Sequence, residues 1–327
     1  MEESQSGTYL QRCQNRIEKD IFKMRINFDH QVAVVTGAGG GLGRQHALAL
    51  AKRGAKVVVN DFGPEFALED GSKTTAAEQV VREIQAAGGT AMAFNASVTD
   101  EKAVAAMVAA AMSAWSRIDI LVNNAGILRD KSFSKMPLDD FRLIVDVHLM
   151  GAAICTQAVW DIMREQKYGR IVMTTSSSGL FGNFGQANYG AAKMALVGLM
   201  QTLSIEGAKD GIHVNCLAPT AATKMTEGLM PAEVLAKLTP ESVTPGLLHL
   251  VSKDAPTRAI LCAGGGTFER AYITMTGGMH IGTGPDAAEQ VAANFEAISD
   301  STNATVPKDG SAQVMNEMGK AMAALKG

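Results

Sequence analysis

Tyr189 and Lys193 stand four residues apart, and Ser176 precedes the tyrosine by thirteen. A phenol, an amine and a hydroxyl at that spacing are the parts of a proton-transfer site. The segment from Tyr189 to about Ala208 is rich in Ala and Leu and predicts a helix, so Tyr189 and Lys193 share one face, one turn apart. A free phenol ionises near pH 10, roughly. A lysine ammonium one turn away favours the phenolate and makes the tyrosine a usable acid or base near neutral pH. Many helices contain Y-x-x-x-K by chance, so the pattern gains meaning only from a second motif.

That second motif is Thr36-Gly37-Ala38-Gly39-Gly40-Gly41-Leu42-Gly43, between the buried-strand run Val32–Val35 and a helix-like segment ending at Arg53. Strand, glycine loop and helix in that order suit a pyrophosphate. The glycines admit close backbone approach, and the helix N-terminus offers unpaired N–H groups with partial positive charge. The spacing Gly37-x3-Gly41-x-Gly43 differs from G-x-G-x-x-G, and a bare glycine cluster could be a tight turn. About twenty residues on, Val57-Val58-Val59-Asn60-Asp61 reads as a second strand ending in a carboxylate. Asp61 is placed to accept hydrogen bonds from adenosine ribose hydroxyls and to repel a 2′-phosphate, so the expected cofactor is NAD rather than NADP.

With Asn123-Asn124-Ala125-Gly126 and the proline-bearing Leu217-Ala218-Pro219-Thr220, these motifs follow one order along the chain. In that order they resemble the classical short-chain dehydrogenase/reductases over roughly residues 28–280. Three further stretches are similar to the (3R)-hydroxyacyl-CoA dehydrogenase branch found in peroxisomal multifunctional enzymes: Asn124–Asp130, Tyr168–Met173 and Gly182–Tyr189. So is Ala218–Thr226. The resemblance implies a catalytic set of Ser176, Tyr189 and Lys193. It implies dinucleotide contacts from Gly37, Gly41, Leu42, Gly43, Asp61, Ser97, Val98, Asn124, Ala125 and Gly126. Tyr189, Lys193, Pro219, Ala221, Ala222 and Thr223 complete that expected lining. Two departures stand out. His148 occupies a helix position where classical members carry asparagine, and it reads equally as a packing residue or a catalytic one. Ser97 stands where many relatives have an aspartate against adenine; its hydroxyl can still hydrogen-bond, more weakly.

These residues need a scaffold, and the chain supplies an alternating one. Strand patterns near 32–36, 56–60, 90–95, 118–123, 169–175, 212–217 and 271–275 alternate with helical patterns near 42–53, 73–87, 100–115, 138–166, 187–208 and 241–252. That alternation predicts an α/β fold, a Rossmann-type doubly wound parallel sheet with helices on both faces. The expected boundaries are an N-terminal extension over 1–27, a dinucleotide-binding domain over 28–281 and a helical extension over 282–327. Residues 220–240, bounded by Pro219 and Pro240, read as an insertion over the site. Leu10, Cys13, Ile17, Ile21 and Met24 have helical spacing, although an unstructured tail is the plainer form for that end.

Composition narrows the class. A chain of 327 residues, 46% hydrophobic, can bury a sizeable core. Its net charge of −3 gives no electrostatic case for nucleic acid or an anionic membrane. Four cysteines without paired spacing suggest reduced thiols and a cytoplasmic protein. Six scattered histidines show no metal-ligand spacing, so no metal is expected. The expected activity is the NAD-dependent interconversion of a secondary alcohol and a ketone, with a (3R)-3-hydroxyacyl-CoA leading and a hydroxysteroid or other bulky alcohol second. A dinucleotide-binding sensor or scaffold is the rival outside enzymes, and the intact Ser176, Tyr189 and Lys193 set argues against it. Long apolar runs at Leu149–Trp160 and Ala195–Ile205 predict a homodimer through those two helices.

Overall fold

The computed structural model describes residues 26–67, 72–222, 233 and 236–325. Eight strands form the main sheet: β1 (Val32–Thr36), β2 (Lys56–Asn60), β3 (Thr90–Phe94), β4 (Ile120–Asn123), β5 (Gly169–Thr174), β6 (Ile212–Thr220), β7 (Ile260–Gly264) and β8 (Thr267–Ala271). Their spatial order is β8-β7-β6-β5-β4-β1-β2-β3. The pairings from β3 across to β7 are parallel. Only two glycines, Gly265 and Gly266, both at positive φ, join β7 to β8. A connection that short leaves β8 the antiparallel direction alone.

The central strands are apolar throughout because both sheet faces are covered. Ala33, Val35, Val57, Val59, Ile120 and Val122 enter one core with Ala47 and Leu50 of α1 (Gly41–Lys52). Val80 and Ile84 of α2 (Ala76–Ala86) join them. By the twofold alternation of a strand, Val34, Leu121, Ile171 and Met173 point to the opposite layer. That layer holds α3 (Glu101–Trp115), α4 (Leu138–Val145), α5 (Gly151–Gln166) and α7 (Ala187–Glu206), with the short α6 (Ser177–Phe181) before α7. The helix α8 (Pro240–Leu250) packs with α1. Local chemistry sets the helix starts. Thr75 and Glu78 form a reciprocal capping box on α2, and the Asp100 carboxylate accepts the Lys102 and Ala103 amides of α3.

Four expectations need correction. The seventh strand is not 271–275: β7 forms at Ile260–Gly264, while Tyr272 and Ile273 remain exposed. The aromatic and β-branched pair has the residue types of a strand but follows the end of β8 at Ala271. The strand expected near 118–123 begins at Ile120, with Asp119 just before it bonded through its backbone to Val32 and Arg170. The helix at 138–166 is not uniform, since residues Asp146–Met150 make a π turn between α4 and α5. The compact unit carrying the sheet ends at Arg270, so the expected boundary at 282 falls inside the second unit.

That second unit, from Ala271 onward, contains α9 (Ala287–Ala293), α10 (Phe295–Ile298) and α11 (Ser311–Ala324). An antiparallel bridge between Met275 and Thr305 and a 2.8 Å bond from Thr276 Oγ1 to the Ile298 carbonyl hold it together. The helical pattern in the N-terminal extension, and most of the insertion at 220–240, lie outside the described residues. The helical stretch Leu138–Gln166 is long and apolar enough to cross a membrane by length and composition. Here it packs against α3 and α7 as part of the helical layer.

Candidate active site

The carboxyl ends of β1, β2, β4, β5 and β6 open into one cavity of about 520 Å³. Strand β1 lies between β2 and β4, so successive connections leave it in opposite directions. A crevice at such a reversal is where open α/β sheets bind ligands. Gly37, Gly41, Leu42 and Asp61 line one end of the cavity, with Asn124 and Gly126 beside them. Ser176, Tyr189, Lys193 and His148 line the rest, with Pro219 and Ala221 opposite.

The glycine loop is tight for steric reasons. A Cβ on Gly43 would sit 2.2 Å from the Gly37 carbonyl oxygen, and one on Gly37 would sit 2.7 Å from the Ala125 Cα. The Asn124 side chain donates to the Thr36 and Gly37 carbonyls at 3.0 Å each, tying the end of β4 to the loop. Asp61 accepts the Gly39 N–H at 2.8 Å, which fixes a carboxylate at the tip of β2. Gly40, the N-cap of α1, has no side chain to satisfy the amides of the first turn. Space at Gly40, capless amides and a carboxylate beyond them fit a dinucleotide, with its pyrophosphate at the helix end and a ribose at Asp61.

The chemistry-bearing end is built from β5, the π turn and α7. Ser176 caps α6, its hydroxyl accepting the Ser178 N–H at 3.2 Å, and it lies near enough to the Tyr189 phenol to act on its pKa. Burial pushes the Tyr189 pKa up, the Ser176 hydroxyl opposes that, and the nearby Asp130 carboxylate pushes it up further. Lys193 is buried, and its ammonium donates to the Thr174 carbonyl at 2.6 Å. Burial lowers its pKa to about 7. Its Nζ lies 5.5 Å from the Tyr189 ring centroid. Lys193 is not among the groups that move the Tyr189 pKa here, its amine being turned to the Thr174 carbonyl. The His148 ring meets the Tyr189 ring edge-on, with centroids 5.2 Å apart. Burial holds His148 neutral, its pKa lowered to about 3, with the Lys193 charge acting in the same direction.

Several of the expected residues are not part of the cavity lining. Gly43 packs beneath the loop instead of lining the cavity, and the Ser97 hydroxyl is engaged with Thr99 at 2.9 Å. Val98 and Ala125 border a separate small cavity behind the site. Ala222 uses its N–H on the Leu238 carbonyl, and Thr223 lies outside the described residues. The sequence reading missed Thr174, whose carbonyl anchors Lys193, and Gln186, which lines the cavity and donates to Asp130 at 2.7 Å. A backbone carbonyl leaves no trace in residue type. Gln186, three residues before Tyr189, could have been found from its position at the head of α7.

Comparison with known proteins gives this geometry a context. The family model for short chain dehydrogenases matches residues 31–233. The chain is 45% identical over 293 residues to peroxisomal multifunctional enzyme A of Dictyostelium discoideum, covering 89% of this chain and 65% of that protein. The solved structure of full-length peroxisomal multifunctional enzyme type 2 from Drosophila melanogaster superposes with a TM-score of 0.76 at 36% identity. That match covers 92% of this chain and 51% of the other, so the chain spans only part of each multifunctional relative. A 7α-hydroxysteroid dehydrogenase complexed with NADH and 7-oxo glycochenodeoxycholic acid matches with a TM-score of 0.65 at 31% identity. That match covers 73% of this chain and 95% of the other.

Proposed function

Because the chain belongs to the short-chain dehydrogenase family and is an oxidoreductase acting on CH–OH groups, we propose that it interconverts (3R)-3-hydroxyacyl-CoA and 3-oxoacyl-CoA with NAD. The observation that carries this reading is the single cavity joining the Asp61 and glycine-loop end to Ser176, Tyr189 and Lys193. Similarity to the peroxisomal multifunctional enzymes supports the acyl-CoA class. NAD, when bound, supplies the hydride acceptor.

The chain's own residues supply the rest. The amides at the head of α1 would take the pyrophosphate, and Asp61 the adenosine ribose hydroxyls. Ser176 and Tyr189, which line the same cavity, would hold the substrate oxygen between their hydroxyls. Tyr189 takes the hydroxyl proton in oxidation and returns it in reduction. Lys193, with one N–H fixed on Thr174, keeps its remaining N–H groups for the nicotinamide ribose.

Substrate and cofactor can be tested together. Purified protein should reduce NAD with (3R)- but not (3S)-3-hydroxyacyl-CoA, followed at the absorbance of the reduced nicotinamide. Activity on hydroxysteroids alone would transfer the reading to the second class, which the likeness to the hydroxysteroid dehydrogenase favours. Asp61→Ala should weaken NAD use and narrow the gap to NADP, because a carboxylate beside a 2′-phosphate is a close like-charge contact. Equal catalytic efficiency with both cofactors in the unmutated protein would refute the cofactor assignment.

A further inference from the structure

The helix α7 holds Tyr189 in its first turn, where a helix leaves its own N–H groups without intrahelical acceptors. The N-cap residue, Gln186, does not meet that need. Its side chain donates to the Asp130 carboxylate at 2.7 Å and accepts from Asn183 at 3.1 Å. The Gly190 N–H makes the first bond of the helix, to the Gln186 carbonyl at 2.7 Å. The Tyr189 N–H is taken instead by a side chain from within the helix: Asn188 Oδ1 accepts it at 2.7 Å.

Asn188 is wholly buried, and both ends of its amide are used. Its Nδ2 donates to the Arg129 carbonyl at 3.0 Å, in the loop that follows β4. A backbone N–H can only donate and a backbone carbonyl can only accept, so these two partners fix which way the amide faces. Two further ties join the same segments. One is the bond from Gln186 to Asp130, between side chains at the surface, and the other runs from the Lys131 N–H to the Gly185 carbonyl at 2.9 Å. Of the three, only the Asn188 tie reaches the backbone of Tyr189.

One turn farther on, the helix is pinned a second time. The Lys193 ammonium donates to the Thr174 carbonyl at 2.6 Å, and the Lys193 carbonyl accepts the Thr175 hydroxyl at 2.6 Å. Tyr189 therefore lies between a pin on the loop after β4 and a pin on the end of β5. We infer that Asn188 is a positioning residue for Tyr189: it closes the orphan amide of that residue and ties it to Arg129, which fixes the direction in which the phenol leaves the helix. Lys193 has its own pin, so loss of Asn188 releases the tyrosine and leaves the lysine in place. The inference rests on the reading of Tyr189 as the proton-transfer residue and of Lys193 as a cofactor contact.

The test uses the full chain. In the unmutated protein, amide exchange followed by NMR should show the Tyr189 N–H protected from deuterated solvent, although first-turn amides ordinarily exchange fast. Asn188→Ala removes both bonds. It should lower kcat roughly tenfold, as loss of orientation does, and leave the Kd for NAD unchanged in fluorescence titration. A slower proton step weighs more in the overall rate, so the solvent deuterium isotope effect on kcat should rise in the variant. An unprotected Tyr189 amide overturns the inference, and that measurement decides even where Asn188→Ala does not fold. An unchanged kcat overturns it too, as does a kcat loss with an unmoved isotope effect. NAD affinity falling in step with kcat would mean general loosening of α7 and would also overturn it. An active Tyr189→Phe enzyme sinks the proton-transfer reading and the positioning role together. An inactive Tyr189→Phe enzyme beside a fully active Asn188→Ala one sinks the positioning role alone.

Discussion

At Tyr189 three influences compete: burial and the Asp130 carboxylate raise the phenol's pKa, and the Ser176 hydroxyl lowers it. The net direction is upward. Oxidation needs the phenolate, so turnover in that direction should climb with pH through the neutral range, and ketone reduction should not. Tyr189→Phe keeps the ring against His148 but removes the mobile proton. Turnover should fall on the order of 10²-fold or more, while NAD binding by fluorescence titration persists. Retention of a tenth of the wild-type rate would assign the proton to another group. Removing Lys193 as Lys193→Ala should cost both turnover and cofactor affinity, since its amine sits in the cavity wall and is fixed by the Thr174 carbonyl.

At the scale of elements, the loop between β1 and α1 has the least freedom. Gly43→Ala would drive a Cβ into the Gly37 carbonyl at 2.2 Å, and backbone cannot swing aside as a side chain can. The expected cost is roughly 1–3 kcal/mol of stability, with a larger relative loss of NAD affinity, measured by thermal unfolding with and without NAD. Gly40→Ala has open space around the new methyl and should be far milder in stability. This loop, β1, β2, β4 and the Tyr189 helix were readable in the sequence, because continuous apolar runs and glycine punctuation are local signals. The π turn was not. One extra residue in a helical turn changes no composition, and only the packing of His148 against Gly126 and Tyr189 shows where it falls. The last strand was misplaced for the converse reason: Tyr272 and Ile273 have strand-forming chemistry, but the growing edge of the sheet accepts Ile260–Gly264 first. At the site, side-chain identities carried the catalytic set. The anchors made of backbone, Thr174 and Ile127, had no sequence signature.

For the molecule as a whole, two buried histidines set a pH limit. His46 and His148 both have pKa values lowered by burial to about 3, against 6.5 when unfolded. Between those values the unfolded chain binds protons that the native one does not. Stability is therefore fully present above about pH 6.5 and lost as pH falls toward 3, each histidine contributing a slope of about 1.4 kcal/mol per pH unit in that window. Unfolding at pH 5 should take up about two protons from these residues, and His46→Gln should remove one of them. Assembly belongs to this scale too. Leu138, Leu143, Met150, Met194 and Ile205 leave apolar surface exposed on α4, the π turn and α7. We propose that a second copy covers it, and light scattering at micromolar concentration should give at least a dimer. The strand order has one more consequence, which concerns the chain during its synthesis. β1, β2 and β3 emerge from the ribosome first, yet the second edge of β1 stays open until Ile120–Val122 of β4 arrive. For that interval the nascent chain carries Ala33–Val35 as an unpaired apolar edge, the kind of surface to which other chains add. A release at residue 116 should yield aggregate, and one at residue 174, with β4 and β5 in place, should yield far less.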